Sequence, residues 1–348
     1  MTPLVHDRAQ RPAESTTASP RLSEADHEAM VPVVLGAGPL GRAVAAELAG
    51  QGLRPRLVNR SGGTAAGQAI IALGGQLERA FAGMPPGQAV RLFVCAAPAY
   101  TRWAEEFPAL VKELDRALGP RRADIVLADN LYAYGRQSGP WDEDTTPHPC
   151  SEKGRVRDGV AKALLGWHDA AATATQGRRV AVVRSASFYG PGVENSALGG
   201  PALRALLAGR PVPLLGDPQQ PHALSYIDDA ARTLVRVAER PESFGRTWHV
   251  PSLPARSLQQ WLEDFAKAAS APEPRLRVAG PLLVRLLGLV NPTMRALHET
   301  LYLFQQPVLL DSEHSARSLG LAATPAATAM AATIDWLRSP AGAGAART

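Results

Sequence analysis

The stretch Val31-Pro-Val-Val-Leu-Gly-Ala-Gly-Pro-Leu-Gly41 constrains this chain more than any other. Its apolar run, Val31 to Leu35, reads as a buried parallel strand. Gly36, Gly38 and Gly41 break that run, and a helix-period segment then continues to Gly50 and Gly52. Strand, glycine turn and helix in this order give the G-x-G-x-x-G spacing its meaning. Gly36 permits a tight turn, Gly38 lets backbone approach a pyrophosphate, and Gly41 lets helix and strand pack closely. Pro39 and Leu40 open the helix, whose free N–H groups face the phosphates. The bland alternative is a glycine-rich turn that binds nothing.

Further apolar runs alternate with helical segments. Strands are expected at 54–61, 69–73, 90–97, 123–128 and 179–184, and helices at 103–118 and 153–175. That alternation implies an α/β fold, a doubly wound parallel sheet. From Phe188-Tyr-Gly-Pro-Gly192 onward the chain becomes rich in Gly and Pro, with helices near 200–208, up to Glu239, at 257–269 and at 281–304. We expect a disordered extension over 1–29, a dinucleotide-binding domain over 30–184, a smaller C-terminal α/β substrate lobe over 185–340 and a flexible tail over 341–348. The arginine-studded helix 281–304 reads as a solvated amphipathic face in preference to a membrane element.

Composition removes several function classes. The net charge of +5 comes almost wholly from arginine, scattered without a stripe or a nucleic-acid-binding signature, so no nucleic acid is expected. Two cysteines are too few for a disulfide framework; Cys95 sits in an apolar strand and Cys150 in a proline-containing loop. The eight histidines have no metal-ligand spacing. No apolar run of about 18 residues and no signal-peptide core occur, so the reading is a cytoplasmic protein with no membrane partner.

The cofactor is read from the end of the second strand. An acid there accepts from the ribose hydroxyls of NAD, whereas arginine accommodates the 2′-phosphate of NADP. Asn59, Arg60 and Ser61 stand at that end with no acid among them, which favours NADP(H) over NAD(H). The alternative leaves Arg60 as a solvated loop charge. Ala96 and Ala97, closing the strand 90–97, and Lys153 complete the cofactor-binding set.

Five landmarks in order resemble the extended short-chain dehydrogenases/reductases, the NAD-dependent epimerase/dehydratase-like proteins. They are Gly36-Ala-Gly-Pro-Leu-Gly41, Leu131-Tyr-Ala-Tyr-Gly135, Arg184 to Gly192, Ser225-Tyr-Ile-Asp-Asp229, and Asp311 to Gly320. The resemblance spans roughly 31–338 and implies a Rossmann-type fold with a substrate lobe, a small-molecule substrate and a homodimer. The departures are specific. Leu35 stands at a usual glycine position, and Gly75 where an adenine-contacting Asp is usual. Aligning Pro149-Cys-Ser-Glu-Lys-Gly-Arg-Val-Arg157 on the family's Tyr-x-x-x-Lys puts Lys153 at the tyrosine and Arg157 at the lysine. Asn130 takes the place of the catalytic Ser or Thr.

Acid–base work needs a group that titrates within reach of substrate. Arg157 cannot titrate usefully, though it could bind a ribose or phosphate. Lys153 beside it would have its pKa lowered, Asn130 can polarise a carbonyl, and Tyr132 is a substitute phenol. The bland alternative sets Lys153 and Arg157 on a solvated helix face. His148 and His222 are weaker candidates, and Asp228 and Asp229 read as helix-capping groups. The leading expectation is an NADP-dependent oxidoreductase or epimerase-like enzyme acting on a small hydroxyl or carbonyl compound. The alternatives are a non-redox lyase, cyclase or isomerase, and a nucleotide-sensing binding protein.

Overall fold

A computed structural model describes residues 30–65, 68–171 and 177–345. Eight strands, most of them the apolar runs, build one sheet. They are β1 (Val31–Leu35), β2 (Arg56–Asn59), β3 (Gly63–Ala65), β4 (Gln68–Ala72), β5 (Val90–Val94), β6 (Ala123–Asn130), β7 (Arg178–Ser185) and β8 (Thr247–His249). Their spatial order is β8-β7-β6-β5-β1-β2-β4-β3. Every pair is parallel except β3 with β4. The β3–β4 hairpin extends the sheet edge beside the turn after β2. Sequence reading misses β3, because three residues of Gly-Thr-Ala carry no periodic signal.

Helices cover both faces, as near-continuous apolar strands require. On one face lie α1 (Pro39–Gly50), α4 (Gly200–Leu207), α5 (Ile227–Glu239) and α6 (Leu258–Ala269), with Val44, Leu48, Leu234 and Phe265 in a shared core. On the other lie α2 (Trp103–Leu118) and α3 (Glu152–Ala171), where Phe107, Leu114 and Leu164 pack against Leu92 and Ile125. The expected end of α3 near 175 falls outside the described residues, as does the extension 1–29.

The C-terminal half departs from expectation in two places. The segment 281–304 is not one helix. It divides into α7 (Pro281–Leu287), α8 (Pro292–His298) and a 3-10 turn (Leu301–Phe304). Pro292 cannot continue a helix interior, and Asn291 instead caps α8 by accepting from the amides of Thr293 and Met294. Nor is that segment an amphipathic element with its apolar side packed inward, since Leu282, Leu286 and Val290 are exposed. After α9 (Glu313–Leu319) and α10 (Ala326–Arg338), α11 (Pro340–Ala345) forms a short helix at the start of the expected tail, whose last residues, 346–348, fall outside the described residues.

Candidate active site

The glycine turn is built as its spacing demands. Gly36 has a φ of +104°, and its amide donates to the Val58 carbonyl at 2.8 Å. A Cβ on Gly36 would sit 2.6 Å from the Ala96 amide nitrogen, and one on Gly41 would sit 1.8 Å from the Gly36 carbonyl oxygen. Gly38 is different: its Cβ position meets nothing within 4 Å. It stands as the N-cap of α1 with no side chain capping the helix, and Pro39 opens the first turn. Leu40 packs inward, Ala96 is half-buried and Ala97 exposed. The turn therefore presents uncapped backbone donors to open space above the carboxyl ends of β1 and β5.

At the end of β2 the Asn59 side chain folds onto its own turn. Its Oδ1 accepts from the amides of Ser61 at 3.1 Å and Gly62 at 2.5 Å. Its Nδ2 donates to the Gly62 carbonyl at 3.4 Å, so Asn59 shapes the β2–β3 connection with both side-chain atoms turned onto its own loop, where the sequence suggested an outward donor. Arg60 and Ser61 are exposed beside it.

Lys153 and Arg157 do not lie on a solvated helix face; they are 5% and 4% exposed. Ser151 opens α3 by accepting from the Gly154 amide at 3.0 Å, which turns Lys153 and Arg157 inward. Arg157 Nε donates to Asp129 Oδ1 at 2.6 Å, and its Nη2 to the Ala128 carbonyl at 2.6 Å. The other oxygen of Asp129 accepts from Arg184 Nε at 3.0 Å. Asp129 and Arg184 are register partners across β6 and β7. Burial alone would raise the Asp129 carboxyl, yet the two guanidiniums hold it below the usual carboxylate range. Arg157 also lies over the Phe107 ring at 4.5 Å and Arg184 over the Tyr134 ring at 4.7 Å.

The chain of contacts continues away from the cleft. The Tyr134 hydroxyl lies 2.6 Å from His249 Nε2, and His249 Nδ1 lies 2.8 Å from the Asp311 carbonyl. Burial pushes the Tyr134 phenol up and the His249 imidazole down. This ties β6, β7, β8 and the start of α9 into one buried polar network.

Lys153 belongs to a second cluster. Its Nζ pairs with Glu299 and lies 4.5 Å over the Tyr100 ring. The other Glu299 oxygen accepts from the Glu152 amide at 2.9 Å, so the same carboxylate serves the start of α3. The Tyr100 hydroxyl lies 3.3 Å from that of Tyr132 and 2.7 Å from that of Thr300. Tyr132 stacks on Trp103 with ring centroids 5.8 Å apart. Burial holds both phenols above the ordinary tyrosine range, and in Tyr100 the neighbouring Tyr132 adds to the effect. Asn130 Oδ1 accepts from the Tyr132 amide at 3.0 Å, which aims the phenol toward Tyr100.

Asn130, Tyr132, Lys153 and Arg157 are thus brought to one region, with four residues that sequence reading did not assign: Tyr100, Asp129, Arg184 and Glu299. Asp129 could have been suspected as an acid within a buried strand, one residue before Asn130. Glu299 carries no local signal, being 146 positions from Lys153.

The weaker candidates resolve differently. His148 is exposed in its loop. His222 is buried against Phe304, with Nε2 2.9 Å from the Ser187 hydroxyl, and burial pushes its pKa down to about 4. Asp228 and Asp229 do not cap α5, since Tyr226 is the N-cap residue. Asp229 instead holds the segment before α10, accepting from the Thr324 amide at 2.8 Å and hydroxyl at 2.6 Å. Trp248 packs in the core and donates to the Ser243 carbonyl at 2.7 Å. Among the described residues, no group of three or more His, Cys, Asp or Glu could hold a metal ion.

Three comparisons bear on this site. A search of curated protein sequences finds no match. Among solved structures, MoeE5 in complex with UDP-glucuronic acid and NAD superposes with a TM-score of 0.69 at 20% identity, covering 88% of this chain and 99% of its own. UDP-N-acetylglucosamine 4-epimerase from Bacillus cereus gives 0.66 at 18% identity, covering 89% and 100%. DesIV, a dTDP-glucose 4,6-dehydratase from Streptomyces venezuelae solved with NAD bound, gives 0.69 at 18% identity, covering 90% and 98%. At such identities these likenesses establish a shared fold. The family model "NAD dependent epimerase/dehydratase family" matches residues 33–250, from β1 through the glycine turn and α3 to the end of β8. The chain belongs to the NAD-dependent epimerase/dehydratase family.

Proposed function

We propose that this chain is an NADP(H)-preferring, epimerase-like oxidoreductase that hydrogen-bonds and protonates a small carbonyl compound, with a nucleotide sugar as the favoured substrate class. The observation that carries the reading is the hydroxyl group of Tyr100, Tyr132 and Thr300 beside the neutralised Lys153–Glu299 pair. A phenol near a free ammonium ionises more readily and can take a proton from an alcohol. Here Glu299 offsets the Lys153 charge and burial keeps both phenols protonated at neutral pH. Protonated phenols donate, so they suit delivery of a proton to a carbonyl oxygen more than its removal from an alcohol.

A dinucleotide fits the residues present. The cradle at Gly36 and Gly41 excludes side chains, Gly38 leaves open space, and α1 begins with uncapped N–H groups. Gly36, Gly38, Gly41, Pro39 and Leu40 would hold the pyrophosphate, with Ala96 and Ala97 along its side. When bound, the nicotinamide supplies hydride chemistry. NADP(H) is favoured because the carbonyl of Asn59 is occupied by its own turn and cannot accept from ribose hydroxyls, while Arg60 is exposed beside it. The nucleotide-sugar class is carried over from what the structural neighbours bind.

A second reading, redox-neutral chemistry with the dinucleotide as a fixed part, draws on a separate observation. Arg157 is committed to Asp129 and the Ala128 carbonyl, so it is not free to clamp a ribose. Calorimetric titration with NADPH and NADH, followed by nicotinamide absorbance during incubation with UDP- and dTDP-sugars and simple ketones, separates the two. Tighter NADPH binding, with NADPH consumption on ketones or epimerisation of the sugars that falls in Tyr100→Phe and Tyr132→Phe, supports the first reading. Sugar conversion with no net nicotinamide change, insensitive to those variants, supports the second. Absence of dinucleotide binding by the folded protein overturns both.

A further inference from the structure

From Arg275 to His298 the chain carries four arginines and no acidic residue. Of the seven residues of α7, only Val284 is buried. Around it Leu282, Leu283, Leu286 and Leu287 are exposed, and the turn into α8 adds Leu289 at 70% and Val290 at 85% exposure. A helix whose residues are apolar apart from one arginine is built for burial, yet this one projects from the fold on a single anchoring valine. Arg285 is exposed on the same helix, and Arg277 is exposed on the strand 276–279 that leads into it and pairs with residues 212–215. Arg295 braces it, its Nε donating to the Gly288 carbonyl at 2.9 Å.

We propose that the α7–α8 projection is a monotopic docking element for the surface of a bilayer containing anionic phospholipid. Charge decides the occupant. A second copy seated through a two-fold contact would bring the same arginine-bearing, acid-free surface against itself. An anionic headgroup layer instead meets the arginines while the leucines and Val290 enter the acyl boundary. Length agrees: seven helical residues span roughly 10 Å, a third of a hydrocarbon core, so α7 can lie in the interface and cannot cross it. Among the described residues no helix is long and apolar enough to span a membrane.

The test is co-sedimentation of the full chain with phosphatidylcholine vesicles, with and without phosphatidylglycerol. Binding is expected on the anionic vesicles and should weaken as salt rises. Leu282→Ser/Leu289→Ser/Val290→Ser should lose about tenfold or more in partitioning. Arg277→Gln/Arg285→Gln should lose about fivefold per arginine on anionic vesicles alone. All replaced side chains are exposed, so an unchanged thermal melt shows that each variant is folded. Failure of the native chain to bind vesicles, or binding unchanged in the apolar triple variant, overturns the proposal. So does a dimer in sedimentation velocity that binds no vesicles and becomes monomeric in the triple variant, because a second copy then covers the leucines.

Discussion

Asp129→Asn removes the one negative charge held between two buried guanidiniums. Both carboxylate oxygens are used, one by Arg157 at 2.6 Å and the other by Arg184 at 3.0 Å. The two arginine side chains are 4% exposed and the aspartate 0%. An asparagine can accept from one arginine through Oδ1, but it then turns an N–H₂ donor toward the other. Taking one partner from a buried ion pair costs about 3–5 kcal/mol, because the remaining charge is left uncompensated. At about 2–4 °C per kcal/mol for chains of a few hundred residues, Tm should fall by roughly 6–20 °C. Urea unfolding followed by tryptophan fluorescence gives the free energy directly. Adding Arg184→Met to Asp129→Asn should recover stability, since it removes the guanidinium the asparagine cannot serve. The pH dependence supplies a separate check. The Asp129 carboxyl lies below its unfolded value near 3.9, so its contribution is complete above that pH. It is lost as pH falls through the lower folded value, and the asparagine variant should show a flatter acid limb. A cost below about 1 kcal/mol, or a double variant less stable than the single, would refute the reasoning.

Gly38→Ala and Gly41→Ala should separate binding from folding. Gly38 has open space, so its alanine variant should fold with little change in Tm and lose dinucleotide affinity, whereas alanine at Gly41 collides with the Gly36 carbonyl and should lower Tm markedly; differential scanning fluorimetry with and without NADPH reads both. Arg60→Asp should weaken NADPH by about tenfold while leaving NADH nearly unchanged, measured by calorimetry. His222, held neutral by burial with its pKa near 4, stabilises the fold above its unfolded value near 6.5. That stability, of roughly 3 kcal/mol, should be lost as pH falls from about 6.5 toward 4. Urea titrations of His222→Gln, with the buried His249 still contributing, should show a reduced slope in that window.

The parts of the fold set by local periodicity were legible. β1, β5, β6 and β7 are apolar runs without competing signals, and the glycine spacing marks the β1–α1 turn. Segment 281–304 was misread because its leucine periodicity runs through Pro292, where the helix must end. Asn59 was misread because an asparagine in a turn can satisfy its own backbone as readily as a ligand. At the site, the family resemblance implied that Asn130, Lys153 and Arg157 would meet. What could not be read were the partners. Asp129–Arg184 depends on the β6–β7 register, and Lys153–Glu299 on where the chain returns after α8. Both are non-local facts with no period to betray them.

Those partners govern what the replaced relay can do. Lys153 and Arg157 are cations in positions where burial penalises an unpaired charge, and each is met by a carboxylate from elsewhere in the chain. The compensation comes from different directions. Asp129 lies in the sheet beneath Arg157 and also binds Arg184, which leaves that triad with one surplus positive charge in the protein interior. Glu299 comes from the segment after α8 and is a quarter exposed, so the Lys153 pair is the more yielding of the two. Removing Glu299 should therefore disturb chemistry more than folding. Glu299→Gln would leave Lys153 with an amide in place of a charge, over the Tyr100 ring at 4.5 Å. The freed ammonium should then lower the Tyr100 and Tyr132 phenols toward ordinary values, which ultraviolet difference titration at the tyrosinate band can follow. A lowered tyrosine titration with near-native Tm would assign Glu299 as the group that keeps the phenols protonated. An unchanged titration would show that burial alone holds them.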